Sequence, residues 1–313
     1  DLYSLASIWT EQKERLCGSE SLKRFNDQLQ RQWAIETGVI EGLYTIDRGV
    51  TQLLIEKGIE ASLIPHGTTD KPVGAILPII KDQEAVIEGL FDFVGQSRSL
   101  STSYIKQLHQ ALTAHQDTVE AYDQFGNRRE VPLVRGEWKR HPNNPSRPDG
   151  SIHEYCPAEH VASEMDRLIS MHLSHIDNDV SPEIEAAWLH HRFTQIHPFH
   201  DGNGRVARAL ASMIFLRAGW FPLVVVSDQH RDDYIRSLEC ADSGDLSDMV
   251  KIFGRLQKQA FVSALSIAED VIADRESLRA VIDSVADRLR GRVEEKRVEK
   301  RRVFETSVRL ESK

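Results

Sequence analysis

Apolar residues recur at steps of three and four in segment after segment of this chain, the spacing of one face of an α-helix. The pattern runs over Leu2 to Leu16, Leu22 to Ile35, Gly49 to Lys57, Gln83 to Val94 and Tyr104 to Ala114. It returns over Glu159 to Leu173, Pro182 to Ile196, Arg205 to Arg217, Arg231 to Cys240 and Leu246 to Asp270. The expected fold class is therefore mostly α-helical. Two stretches break the pattern. Between about 58 and 82, Gly58, Pro65, Gly67, Pro72, Gly74 and Pro78 predict a connector, because a helix persists poorly through so many breakers. From 132 to 157, short β-like runs at Pro132 to Lys139 and Ser151 to Tyr155 flank a stretch rich in Pro, Asn and Gly, which predicts a hairpin with a long tip.

A hydrophobic content of 40% and a charged content of 28% lie in the range of folded globular chains, and 313 residues suffice for a sizeable core. The formal charge of −9 argues against nonspecific binding of duplex nucleic acid by the whole molecule. Cys17, Cys156 and Cys240 are odd in number, far apart and outside any C-x-x-C pair, so reduced thiols are expected rather than a disulfide framework or a zinc knuckle. No apolar run approaches the roughly 20 residues of a membrane span, and the first residues lack a leader pattern, so no membrane partner and a cytoplasmic setting are expected. The first residue is Asp rather than Met, as in a segment of a longer chain. The expected organisation is an N-terminal helical region over 1–115, a core over 116–275 and a charged helical tail over 276–313, where Asp287 to Arg302 mixes both charge signs.

Residues 197–208 read His-Pro-Phe-His-Asp-Gly-Asn-Gly-Arg-Val-Ala-Arg, between two predicted helices and opening the second. Gly202, Asn203 and Gly204 leave backbone amides accessible at a helix N-terminus, where unpaired donors and the partial positive charge favour phosphate. Arg205 and Arg208, three apart, put two guanidinium forks on one face for further phosphate oxygens. Asp201 supplies a carboxylate beside them, suited to Mg²⁺ bridging phosphates, and His197 can take a proton from an incoming hydroxyl. Phe199 is expected to anchor the loop in the core.

This segment resembles the signature of the Fic-domain family, His-Pro-Phe-x-Asp/Glu-Gly-Asn-Gly-Arg-x-x-Arg, at every fixed position; a random match at a given start has odds on the order of 10⁻¹¹. The resemblance extends from about 132 to Phe253 and implies a Fic-type helical core with a β-hairpin flap. It implies transfer of AMP from ATP to a side-chain hydroxyl of a protein, with exposed Tyr, Thr or Ser as acceptor. Self-modification and a homodimer are further expectations. Under it His197 is similar to the general base, Asp201 to the Mg²⁺ ligand, and Gly202, Asn203 and Gly204 to the phosphate cradle. Arg205 and Arg208 are similar to β- and γ-phosphate contacts. The 132–157 hairpin is similar to the flap that holds a target segment by strand addition. The helix with Tyr234 is similar to one lining the nucleotide pocket, with Ile235 and Asp242 where many members carry Tyr and Asn.

A shorter match, Thr37-Gly-Val-Ile-Glu41-Gly42, resembles the family's inhibitory helix Ser/Thr-x-x-x-Glu-Gly/Asn, whose Glu pairs with the second motif Arg. It implies a protein adenylyltransferase restrained by Glu41 through Arg208, in the class with an N-terminal inhibitory helix. Three other readings are kept: removal of AMP by the same site, a metal phosphohydrolase built on His200 and Asp201 with His190 or His191, and a nucleotide-binding module without turnover.

Overall fold

The computed structural model describes residues 2–16, 18–122, 128–145 and 150–269, with Arg279. Cys17 and the mixed-charge stretch 287–302 lie outside the described residues. Five helices come first: α1 (Leu2–Leu16), α2 (Glu20–Ile40), α3 (Arg48–Lys57), α4 (Val73–Gly95) and α5 (Thr102–Leu112). An antiparallel ribbon follows, β1 (Thr118–Tyr122) against β2 (Arg128–Pro132), with Val119 opposite Val131. Then come α6 (Val161–Asp177), α7 (Pro182–Ile196), α8 (Asn203–Arg217), α9 (Ser227–Asp242) and α10 over 247–269. Among the described residues the fold is mostly α-helical, as the periodicity predicts, with one small hairpin.

Helix α8 is the axis of the molecule. Every residue from Val206 to Leu216 is buried, which its run of Ala207, Ala209, Ala211 and Ser212 permits by letting neighbouring helices approach from all sides. Helices α7, α4, α5 and α2 pack around it. One apolar cluster runs from Trp9 and Trp33 through Phe193, Phe199 and Phe215 to Phe261 and Ala268, so N-terminal and C-terminal helices share a core. A polar stitch crosses it: the Trp33 indole N–H donates to the Ser212 hydroxyl, which also accepts the Leu223 amide. A smaller cluster of Ile35, Tyr44, Leu54, Ile76 and Ile80 supports the C-terminal end of α2.

Three expectations are corrected. Helix α4 begins at Val73 and passes through Pro78, where the breakers predict a connector as far as 82. Proline removes one helical hydrogen bond, but Ile76, Ile80, Gln83, Val86, Ile87 and Leu90 keep helical spacing across it and are all buried, and that burial outweighs the lost bond. The hairpin is also displaced. Its strands are 118–122 and 128–132; the predicted run at 132–139 forms no strand beyond Pro132, and the run at 151–155 forms none. Pro132 has no N–H to give, the Leu133 amide makes one last cross-strand bond to the Asp117 carbonyl, and the amides of Gly136 and Lys139 go elsewhere. Gly136, at φ +74°, donates to His109 Nδ1, and Lys139 donates to the Pro198 carbonyl. The segment is drawn onto α5 and the 197–208 loop, not onto a neighbouring strand. Helix α2 is also longer than expected, reaching Ile40 where the pattern stops at Ile35, which makes Glu41 its C-cap.

Candidate functional site

The site is assembled where α7 ends and α8 begins. His197 caps α7 in the left-handed region (φ 50°, ψ 58°), a conformation that costs a side-chain-bearing residue about 1–3 kcal/mol. Its neighbours hold it there. The Lys139 amide donates to the Pro198 carbonyl, its ammonium to Asn143 Oδ1 and the Ile196 carbonyl, and the Tyr155 ring stacks on the imidazole with centroids 3.7 Å apart. Imidazole Nδ1 lies 3.2 Å from the Thr194 carbonyl, an acceptor only, so Nδ1 carries the hydrogen and Nε2 keeps a lone pair. Burial lowers the His197 pKa to about 3, so the ring is neutral at ordinary pH. Burial likewise lowers Lys139 to about 8.

The loop between His197 and α8 is fixed from inside. Phe199 is buried and stacks on His109, 3.8 Å between centroids. Asn203 closes a ring on Phe199: its Oδ1 accepts the Phe199 N–H and its Nδ2 donates to the Phe199 carbonyl. The Asn203 side chain is thus a staple for the cradle. Gly202, at φ +79°, begins α8, and a Cβ there would meet Thr113, Arg205 and His109 between 3.1 and 3.3 Å. His109 accepts from Gly136 at Nδ1 and donates from Nε2 to the Asp201 carbonyl, and burial lowers its pKa to about 4.

Asp201 Oδ2 accepts from Gln116 Nε2 at 2.5 Å and lies 3.4 Å from Arg205. Burial pushes its pKa up, but Arg205, Gln116 and the Gly202 amide outweigh this and hold it below the ordinary carboxylate range. It is an ionised hard-oxygen donor, the type Mg²⁺ selects. Arg205 is fully buried and gives its guanidinium to the Leu112 carbonyl and to Gln116 Oε1.

Arg208, expected on the same face as Arg205, takes different partners. Its Nη1 donates to Glu41 Oε1 at 2.8 Å and its Nη2 to the Thr37 carbonyl at 3.1 Å. Burial opposes its charge, but the Glu41 carboxylate overcomes this and raises its pKa. Gly42, at φ +68°, ends α2, with its amide and that of Leu43 bonded back to Val39 and Gly38. That turn delivers Glu41 directly over the first turn of α8: a Cβ on Gly204 would lie 2.2 Å from Glu41 Oε1. A carboxylate therefore stands at the N-terminus of α8, where the amides of the first turn have no helical acceptor.

Tyr234 is buried rather than lining an open pocket. Its hydroxyl is 2.7 Å from His190 Nε2, and its other side faces Arg208. His191 is 3.0 Å from Asp242. Neither histidine joins His200 and Asp201, and among the described residues no group of three His, Cys, Asp or Glu is arranged to hold a metal ion. That removes the support for the phosphohydrolase reading. A cleft of about 730 Å³ opens beside the His197 stack, lined by His153, Tyr155, Cys156, Arg192, Gln195 and Asp242. Cys156 and Cys240 are free thiols. No helix among the described residues is long and apolar enough to cross a membrane. The sequence pattern does not reveal His109, Gln116, Lys139, Asn143 and Tyr155, which orient the loop from outside it.

Residues 99–215 match the Fic/DOC family. The chain is 25% identical over 265 residues to a protein adenylyltransferase, fic-1, of Caenorhabditis elegans, covering 81% of this chain and 45% of that protein. It is 24% identical over 272 residues to a protein adenylyltransferase Fic of Nematostella vectensis, covering 85% and 56% respectively. The chain thus spans about half the length of the curated relatives it matches. A Fic-domain-containing signalling protein from Bacteroides thetaiotaomicron superposes with a TM-score of 0.69 at 22% identity, over 86% of this chain and 97% of that one. Fic-1 from Caenorhabditis elegans does so with a TM-score of 0.62 at 21% identity, over 85% and 70%. At that identity the likeness establishes the fold.

Proposed function

Since this chain carries a Fic/DOC domain, we propose that it is a Mg²⁺-dependent protein adenylyltransferase that moves AMP from ATP to a side-chain hydroxyl and is restrained by Glu41. The observation that carries the reading is the carboxylate of Glu41 seated over Gly204 and paired with Arg208. A buried arginine and a helix N-terminus converge there on an anion, and the terminal phosphate of a nucleotide triphosphate has the same needs. In the reaction, the acceptor oxygen forms a bond to the α-phosphorus, the bond to pyrophosphate breaks, and the hydroxyl proton passes to His197 Nε2. The Nδ1–H bond to Thr194 keeps that lone pair on Nε2. Asp201 would hold Mg²⁺, which supplies charge neutralisation at the phosphates. Arg205 and Gln116 keep the Asp201 carboxylate ionised and oriented.

The test is AMP incorporation, measured by mass spectrometry on the protein itself and on a lysate after incubation with ATP and Mg²⁺. Wild type should be slow and Glu41→Gly markedly faster. Adding His197→Ala to Glu41→Gly should lower transfer by about 10²-fold or more while ATP binding is kept, the scale of a lost general base. Equal rates for wild type and Glu41→Gly would remove the restraint. Absence of AMP on any protein with either form would remove the transfer reading.

A further inference from the structure

Glu41 sits at the end of α2, and a second carboxylate on that helix fixes where the end lies. Glu36, only 3% exposed, divides its two oxygens between two other elements. Oε1 accepts Arg48 Nη1 at 2.6 Å, from the first residue of α3. Oε2 accepts the Ser227 amide at 2.8 Å, the first residue of α9. Helix α9 needs that acceptor: its N-cap is Val226, whose side chain offers none, so Glu36 serves an amide that α9 leaves open. Arg48 closes the triangle, with Nε 3.5 Å from Asp228 Oδ2 in the first turn of α9.

The same helix α9 carries Tyr234, which stands against Arg208 two turns further on. Both members of the Glu41–Arg208 pair thus depend on one junction: α2 brings Glu41 to it, and α9 backs Arg208. Glu36 is sealed, but Arg48 is 45% exposed, so the junction is reached from solvent through Arg48.

We propose that Glu36 and Arg48 are positioning residues for Glu41, and that the Arg48–Glu36–Ser227 junction sets how firmly Glu41 occupies the anion site. This rests on the reading that Glu41 restrains that site. Loosening the junction frees the last turn of α2 to shift, which lifts the carboxylate from Gly204 and leaves Arg208 open to a phosphate. Glu41 itself is unchanged.

The experiment compares ATP dissociation constants, AMP incorporation and amide hydrogen exchange over residues 37–42 in the full chain, for wild type, Arg48→Ala, Arg48→Lys, Glu36→Gln, Glu41→Gly and Arg48→Ala combined with Glu41→Gly. Arg48→Ala should bind ATP about fivefold more tightly than wild type, the low end of ordinary coupling between sites, and should speed exchange at 37–42. Arg48→Lys should fall between the two, since it keeps the Glu36 contact and loses the Asp228 one. In the Glu41→Gly background, Arg48→Ala should change ATP affinity no further. If Glu41→Gly tightens ATP binding and neither Arg48→Ala nor Glu36→Gln does, the junction has no positioning role, and a lowered melting temperature with no change in ATP affinity likewise overturns it. If Glu41→Gly leaves ATP affinity at the wild-type value, the restraint reading falls and takes this inference with it. Should Glu36→Gln fail to fold, the half-exposed Arg48 variants still decide the matter.

Discussion

Arg205 and Arg208 stand one helical turn apart on α8, 0% and 2% exposed, and both have a buried Nε without a hydrogen-bond partner. Their surroundings are built differently. Arg205 is held by Leu112, Gln116 and Asp201, all within the stretch 99–215 that matches the family. Each arginine also holds one backbone carbonyl, Leu112 for Arg205 and Thr37 for Arg208, so the difference lies in their side-chain partners. Arg208 is held by Thr37 and Glu41, both on α2 and outside that stretch. Glu41 is 22% exposed at a helix end, so turning one side chain carries the charge into water. The first arginine belongs to the frame of the loop. Under the proposed function, the second is the contact that a competing anion would exchange.

Stability measurements would break this comparison most directly. Arg205→Ala strands the Leu112 carbonyl, the Gln116 amide and Asp201 together, and should cost about 3 kcal/mol or more in urea unfolding. Arg208→Ala should cost about 1–2 kcal/mol, because Glu41 can reach solvent once released. In a Glu41→Gly background the cost of Arg208→Ala should shrink further, whereas that of Arg205→Ala should not. Equal costs for the two arginines would mean that both are frame.

The same division separates what the sequence reveals from what it hides. The loop 197–208 is legible because its chemistry is local: the glycines, Asp201, the arginines and His197 follow one another closely along the chain. Glu41 is legible only through a short pattern, and the turn at Gly42 that aims it at Arg208 is a helix-end signal of ordinary kind. His109, Gln116 and Lys139 reach the loop from segments some sixty to ninety residues away, and nothing in their neighbours distinguishes them from surface or core residues. The displaced hairpin has a related cause. Residues 133–139 have strand-like composition, but the amides of Gly136 and Lys139 are claimed by His109 and Pro198, partners that a local pattern does not contain. Pro78 misleads in the opposite direction, because a local breaker lost to burial spread over 76–90.

A smaller effect reads the exchangeable contact without touching either charge. In Gly204→Ala the new Cβ would overlap Glu41 Oε1, the far end of a flexible side chain, so the carboxylate should give way before the backbone does. The expected cost is about 1 kcal/mol with Glu41 present and near zero in a Glu41→Gly background, a coupling that a double-mutant cycle detects. A Gly204→Ala penalty that is the same in both backgrounds would place the clash in α8 itself.

The smallest effect concerns pH and asks whether His197 belongs to the frame. Its pKa is lowered to about 3 in the folded chain and that of His109 to about 4, both below the 6.5 of a free imidazole. Between those values the unfolded chain binds protons that the folded chain refuses, so this contribution to stability is complete above pH 6.5 and is lost as the pH falls toward 4. Replacing His197 by Ala should therefore reduce the proton uptake on unfolding near pH 5 by about one proton, a shallower slope of stability against pH. Tyr155 and Lys139 flank His197, and Glu41 does not touch it. Glu41→Gly should accordingly leave that slope as it is in wild type, even as it opens Arg208. Urea unfolding at pH 5, 6 and 7 on the two variants and wild type measures this. A slope that changes with Glu41→Gly would tie the base to the removable half of the site, and the line drawn between the arginines would then run elsewhere.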